Sequence, residues 1–381
     1  MSRWPELPLI DVGRLTRGTE PGSASYTDAS RGVPFLRVGD VTGKTDNPVY
    51  TDSSQMVRVS ASDLLLTLDG SPGYVSTGHE GAISSGLRKV EPLDPDTVSL
   101  SWLRYSLISP SVQETIRRHT TGVTILHASA AVPHIRIPVP PLPEQERIVR
   151  ILDEADALHR LRVQADERTR DLTTALFAQM FGDPVSNPKG WDTAMLGGLG
   201  TVVTGNTPPR SDTSLYGDFI EWVKTDNIDP SRGTVGVSAE RLSESGATRG
   251  RIVPDGSVLV TCIAGSIERI GDAAITDRRV AINQQINAII PTEGVESGFM
   301  GSLVRALKPL IQASATGVMT RIINKSALEK IPVILPPPPL QRQFAAHAAE
   351  IRQLEAAQAT SRQRLDDLFQ SLLHEAFLGE L

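Results

Sequence analysis

PPLPEQERIVRILDEADALHRLRVQADERTRDLTTALFAQMFG, residues 140–182, organises the whole chain. A proline run ends at Pro143, and from Glu144 to Phe181 there are 38 residues without Gly or Pro. Gly182 and Pro184 follow. Proline before a first turn and Gly then Pro after a last one are helix punctuation. The spacing predicts one helix over 143–182, roughly 55 Å long at 1.5 Å per residue. Apolar residues recur near heptad spacing at Ile148, Ile151, Ala155, Leu158, Ala165, Leu172 and Leu176. Ordinary globular helices are shorter, so this one needs a partner along its length.

The partner is a near-copy that closes the sequence, from PPPPLQRQF at 336 to Leu381. A shift of 196 residues places Gln145 on Gln341, Ile148 on Phe344, Leu176 on Leu372 and Phe181 on Phe377. The shift is a whole number of heptads. The second seam therefore keeps register at Phe344, Ile351, Leu354, Leu365, Leu368 and Leu372. Two helices of equal length with matching seams predict an intramolecular coiled coil. Paired antiparallel with ends aligned, Ile148 faces Leu372 and Arg162 faces Gln358, both interrupting their seams at one level.

Each helix follows a globular segment, and the second segment repeats the first. Residues 1–142 read as strands (33–41 and 63–71), one or two short helices (99–119) and an extended exit (135–143). In residues 183–339, a shift of 187 aligns Trp4 with Trp191, Gly18 with Gly205, Pro21 with Pro208, Phe35 with Trp222 and Arg37 with Lys224. After a small insertion the shift becomes 195, aligning Gly70-Ser71 with Gly265-Ser266 and Thr121-Gly122-Val123 with Thr316-Gly317-Val318. The Gly-x-x-Pro pairs read as turns that open loops of small polar and basic residues, a composition suited to phosphates and base edges. The fold expected is α+β: domain 1 at 1–142, a helix at 143–182, domain 2 at 183–339 and a helix at 340–381.

The totals exclude several classes. The net charge is −6 and no segment is basic, which argues against a nucleic-acid binder that relies on bulk charge. A single cysteine, Cys262, lies in an apolar run, so no intrachain disulfide or cysteine-based metal site is expected. No segment approaches a membrane span and no cleavable leader is evident, so a cytoplasmic location is expected. Phosphate-loop, dinucleotide, zinc-protease and serine-elbow motifs are absent from the sequence. Asp218-Phe-Ile-Glu221-Trp-Val-Lys224 has the residue types of a nuclease cluster. Its Glu-to-Lys spacing is one too long and the acids do not recur in the repeat, so it reads as strand.

PPLPEQERIV (140–149), LFAQMFGDP (176–184), TGNTPPRSD (204–212), FIEWVKTDNI (219–228), INQQINAII (282–290) and GVMTRIINKSALEKIPVILPPPPLQRQ (317–343) occur here in that order. In this order they closely resemble the specificity subunits of type I DNA restriction–modification systems, across essentially the whole chain. The first domain departs most: SSGLRKV (84–90) stands where INQQINA stands in the second. The resemblance implies two target-recognition domains in inverted orientation, held apart by the antiparallel long helices, each reading one half of a split double-stranded DNA target. It implies no catalysis and no cofactor in this chain. S-adenosylmethionine, ATP and Mg belong to partners: two methyltransferase subunits and, through them, restriction subunits.

DNA-facing residues carried over from the resemblance are Thr207, Arg210, Lys224, Thr225, Asp226, Arg249, Arg251, Arg321 and Lys325 in the second domain. In the first they are Arg17, Arg31, Arg37, Lys89, Thr121 and His127. Arg and Lys would take phosphates or guanine edges, and Asp226 a cytosine amino group. Two alternatives stand beside this reading: a specificity-like subunit serving a methyltransferase or another defence complex without restriction, and a coiled-coil scaffold that binds no DNA.

Overall fold

A computed structural model describes residues 3–45 and 47–381. The chain divides into two compact units, residues 1–161 with 362–381, and residues 162–361.

In the first unit an antiparallel sheet runs in the order Gly13–Arg17, Leu87–Pro92, Leu64–Thr67, Val75–Ser76. The run Leu64-Leu65-Leu66 is continuous because both faces of its strand are covered. Leu64 and Leu66 pack with Val90, Trp102 and Tyr105 on one face, and Leu65 packs with Ile83 and Leu87 on the other. A five-stranded sheet orders Tyr26–Thr27, Val49–Thr51, Val33–Leu36, Gly81–Ile83 and Arg58–Val59. Its one parallel pairing sets Phe35 against Ala82. The strand expected over 33–41 stops at Leu36, and Val38–Val41 is a helical turn. Asp40 ends the strand: its carboxylate accepts from the Arg37 backbone N–H at 2.8 Å and from the Arg37 guanidinium. The helical stretch 99–119 is two helices, Leu100–Ile108 and Pro110–Arg118, the first capped by Ser99 and the second opening on proline.

The second unit repeats this plan. Gly200–Thr204, Ile286–Pro291, Val258–Thr261 and Ala273–Ile275 neighbour one another as their four counterparts do. Trp222 stands opposite Ala281 in the parallel pairing, as Phe35 does opposite Ala82. Gly18 and Gly205 are likewise equivalent. A Cβ on Gly18 would lie 2.1 Å from the Ser84 carbonyl oxygen, and one on Gly205 2.0 Å from that of Asn283. Close backbone approach, not turn geometry, demands glycine at both.

The central helix runs Leu142–Arg170 and resumes as Leu172–Phe181. Thr169 Oγ1 donates to the Ala165 carbonyl at 2.8 Å, a competition with the helix ladder that loosens the turn before Asp171. Gly182, at φ 79°, ends it. The last helix is Pro338–Leu378. In the first unit Arg147 reaches the Leu381 carbonyl and His159 pairs with Asp366, so the two segments run in opposite directions. In the second, Thr169 meets Gln358 and Phe177 meets Phe344, with the same sense.

The buried line differs from the expected one. Residues 148, 152, 155, 159, 162, 166, 169, 173, 176 and 180, in steps of four and three, are all buried or half-buried. The matching line is 344, 348, 351, 355, 358, 362, 365, 369, 372 and 376. Ile148, Ala155, Arg162 and Leu176 lie on the first line, and Phe344, Ile351, Gln358, Leu365 and Leu372 on the second. Ile151 is half-buried beside it, whereas Leu158, Leu172, Leu354 and Leu368 are exposed. Gln358 meets Thr169, seven positions beyond Arg162, so the register differs from ends-aligned pairing by one heptad.

Candidate nucleic-acid interface

In the second unit the residues expected to face DNA gather around Trp222, which the strand Tyr216–Val223 carries into the core. Arg210 lies 4.8 Å from its ring and 4.9 Å from that of Tyr216, and the Lys224 ammonium lies 5.2 Å above the Trp222 ring. Glu240 joins the two cations: Arg210 Nη2 stands 2.8 Å from Oε2, and Lys224 Nζ pairs with Oε1. The Lys224 hydrogen bond, with Arg210 behind it, holds the Glu240 carboxyl below its ordinary range. Both cations are thereby kept side by side on an aromatic floor, with Arg210 more than half exposed.

Asn206 brings the remaining cations to this rim. Its side chain donates to the Arg249 carbonyl at 2.6 Å and accepts from the Arg251 N–H at 2.7 Å, and its carbonyl accepts from Trp222 Nε1. Arg249 and Arg251 are exposed beside it. Thr207 follows, half-buried, and Tyr216 pins the loop through Pro208. Thr225 and exposed Asp226 begin the turn after Lys224, and Arg269 donates to the Thr225 carbonyl. Arg321 and Lys325 lie apart from this cluster in sequence, at the hairpin Thr316–Ile322 and the helix after it. Arg321 there donates to the Gly317 carbonyl, and Lys325 stands 3.6 Å from Glu329.

The first unit builds a smaller version. Tyr26 packs edge-on to Phe35 at 6.0 Å, matching Tyr216 on Trp222 at 5.9 Å. Arg37, half-buried, is held by Asp40 and also donates to the Asn47 carbonyl. Burial raises the Asp40 carboxyl, but the Arg37 hydrogen bonds outweigh it and hold the group below its ordinary range. Arg31 is exposed in the preceding turn. Arg17 shares the Ser85 carbonyl with Arg88, a buried guanidinium that also donates to Ser129. Lys89 is held between Asp63 and Glu91, each at 3.1 Å, on the sheet rather than at this rim. Thr121 and His127 close a hairpin, with His127 Nδ1 2.7 Å from Asp69.

Glu240, Tyr216, Asn206, Arg88 and Asp69 were absent from the sequence-based set. The aligned aromatic position, Phe35 on Trp222, is a signal that could have led to Tyr216, Asn206 and Glu240, which all contact Trp222, whereas nothing in the repeat marks Arg88 or Asp69. The nuclease-like run is not a cluster: Arg278 grips Glu221 through two hydrogen bonds of 2.9 and 2.7 Å, while Lys224 turns to Glu240. Burial pushes the Cys262 thiol up to about 12, leaving it protonated at neutral pH. Among the described residues no group of His, Cys, Asp or Glu has the arrangement to hold a metal ion, and no helix is long and apolar enough to cross a membrane.

Comparison with known proteins places these features in a family. The model of the type I restriction modification DNA specificity domain matches residues 1–165 and again 188–355. The HindI specificity subunit of Haemophilus influenzae is 28% identical over 202 residues, which cover 51% of this chain and 42% of that protein. The putative MjaX specificity subunit of Methanocaldococcus jannaschii is 22% identical, covering 65% and 60%. The MjaIX subunit of the same organism is 21% identical over 90% of this chain and 85% of its own. The chain thus spans 42% and 60% of the first two of these relatives. The fold is similar to the crystal structure of a type I restriction–modification S subunit from M. genitalium, with a TM-score of 0.60, 16% identity and coverage of 99% and 96%. With two matched domains, a duplicated plan and a shared fold, this chain belongs to the type I restriction modification DNA specificity family.

Proposed function

We propose that this chain is the DNA-reading subunit of a type I restriction–modification complex, recognising a split, asymmetric target through its two domains. The observation that carries this reading is the aromatic floor under two tethered cations, Trp222 with Arg210 and Lys224, set on a strand frame that recurs in the first domain, where the equivalent Phe35 precedes Arg37 by two residues and Asp40 holds Arg37. A common frame with different residues at its rim is what two readers of unrelated half-sites require. Arginine held over aromatic rings is preorganised for a phosphate or the guanine O6/N7 edge. Glu240 and Asp40 keep the cations in place until DNA competes for them, and reward a target that offers better acceptors than a carboxylate already in hand.

The long helices set the distance between the half-sites, and the chain itself performs no chemistry. Methyltransferase subunits supply S-adenosylmethionine-dependent transfer and, with a net charge of −6 on this chain, much of the phosphate contact. Restriction subunits join through them. The decisive experiment maps N6-methyladenine in host DNA with and without this gene. One bipartite motif should lose methylation on deletion and regain it on complementation. An unchanged methylation map, together with no target binding by the purified complex, would refute the reading.

A further inference from the structure

The hairpins Thr121–His127 and Thr316–Ile322 are the same device built twice. Each is closed by two backbone hydrogen bonds between its end residues, at 2.8–2.9 Å. Each turns on a glycine of positive φ, Gly122 at 101° and Gly317 at 92°. A Cβ on either would lie 2.1 Å from the carbonyl oxygen three residues on. The residue after each hairpin is rooted in its core: Ala128 N–H donates to Leu68 and Ile323 N–H to Cys262. The tips are therefore rigid, and they present apolar side chains to solvent. Val123 and Val318 are 101% and 87% exposed, Met319 90% and Ile125 57%. Soluble proteins do not keep such side chains bare on a preorganised loop without a use.

Chemistry around the tips identifies the occupant. Residues 119–130 (HTTGVTILHASA) and 314–326 (SATGVMTRIINKS) contain no acid, in a chain with a net charge of −6. Threonines, histidines, Arg321 and Lys325 flank the apolar points in sequence, and the nearby acids Asp69 and Glu329 are already engaged by His127 and Lys325. Apolar tips flanked by hydroxyl and basic groups suit a polyanion whose interior is apolar, the stacked bases of DNA. The two domains differ at their aromatic rims yet retain the same hairpin. That points to a contact both half-sites share, a base step being opened, and not to a base being read. Resting on the DNA-reading function proposed above, we propose that Val123 with Ile125, and Val318 with Met319, are wedges that enter the DNA and partly unstack one base step in each half-site.

The test uses the full chain assembled with its methyltransferase partner, on the mapped target carrying 2-aminopurine at successive positions. The expected result is a fluorescence rise at one step in each half. Val123→Ser with Ile125→Ser should abolish only the first-domain signal, and Val318→Ser with Met319→Ser only the second. Binding should weaken roughly tenfold in each case. The thermal midpoint should not change, because these side chains are exposed. Target binding by the wild type with no fluorescence rise anywhere would overturn the wedge and leave the DNA-reading function standing. Serine variants that still unstack the DNA would overturn it too. So would variants that lose co-elution with the methyltransferase, which would assign the tips to a protein interface. Failure of the wild-type complex to bind its mapped target at all would remove both readings.

Discussion

Gln358 Nε2 donates to Thr169 Oγ1 at 3.0 Å, and the Thr169 hydroxyl in turn donates to the Ala165 carbonyl. Both residues sit on buried lines of their helices, so this pair is a polar layer that sets register. Gln358→Ala should lower stability by about 1 kcal/mol in denaturant titration, since one hydrogen bond is lost. Thr169→Val combined with Gln358→Leu should restore or exceed wild-type stability, because both polar partners are gone.

Gln145 is the last residue of the PPLPEQ signature and is fully buried. It donates to the Thr97 and Pro140 carbonyls at 2.8 and 2.9 Å and accepts from the Ser99 N–H at 3.0 Å. Gln341 repeats the role with a donation to Pro336 and a longer acceptance from Glu296 at 3.3 Å. Gln145→Ala should cost about 2–3 kcal/mol, and Gln341→Ala less, by chemical denaturation.

Arg278 holds the Glu221 carboxyl below its ordinary value of 4.5 through hydrogen bonds that outweigh burial. A depressed folded value means the pair contributes stability above pH 4.5, which is lost as pH falls through the folded value. Glu221→Gln should therefore lower stability at pH 7 by about 2 kcal/mol and flatten the dependence on pH below 4.5. Thermal melts from pH 3 to 7 would read both effects.

Glu240→Gln should act on DNA binding more than on folding, because the ion pairs it makes are partly exposed. Removing one negative charge beside Arg210 and Lys224 should tighten binding of the assembled complex to all sequences severalfold. Discrimination at one half-site position should fall, since the cations lose their tether. Fluorescence anisotropy on target and scrambled duplexes checks both.

Inserting one heptad into each long helix preserves the four-and-three spacing of the buried lines. It adds roughly 10 Å of helix, about three base pairs of DNA. The unspecified spacer should lengthen by that amount while both half-sites stay the same. Methylation mapping of an active variant that kept the original spacer would show that the helices do not set the distance.

The sequence by itself determined the repeats and most of the local punctuation, but not the helical turn at Val38–Val41 or the interruption before Leu172. The shifts of 187 and 196 exposed the duplicated frame, and proline and glycine punctuation placed the helix ends within a few residues. Conformational preferences act over one or two turns, so they are written in adjacent residues. Which face of the helix is buried was decided only by tertiary packing. Ile151, Leu158 and Leu172 offered one heptad line, and Leu152, His159 and Thr169 lay on its neighbour, so periodicity alone did not choose between them. The electrostatics of the rim were equally hidden. Arg210 and Lys224 converge on Glu240, 30 and 16 residues away, whereas Lys89 is drawn aside by Asp63 and Glu91. A charge's partner is set by which strands pack together, and only the folded chain brings those strands within reach.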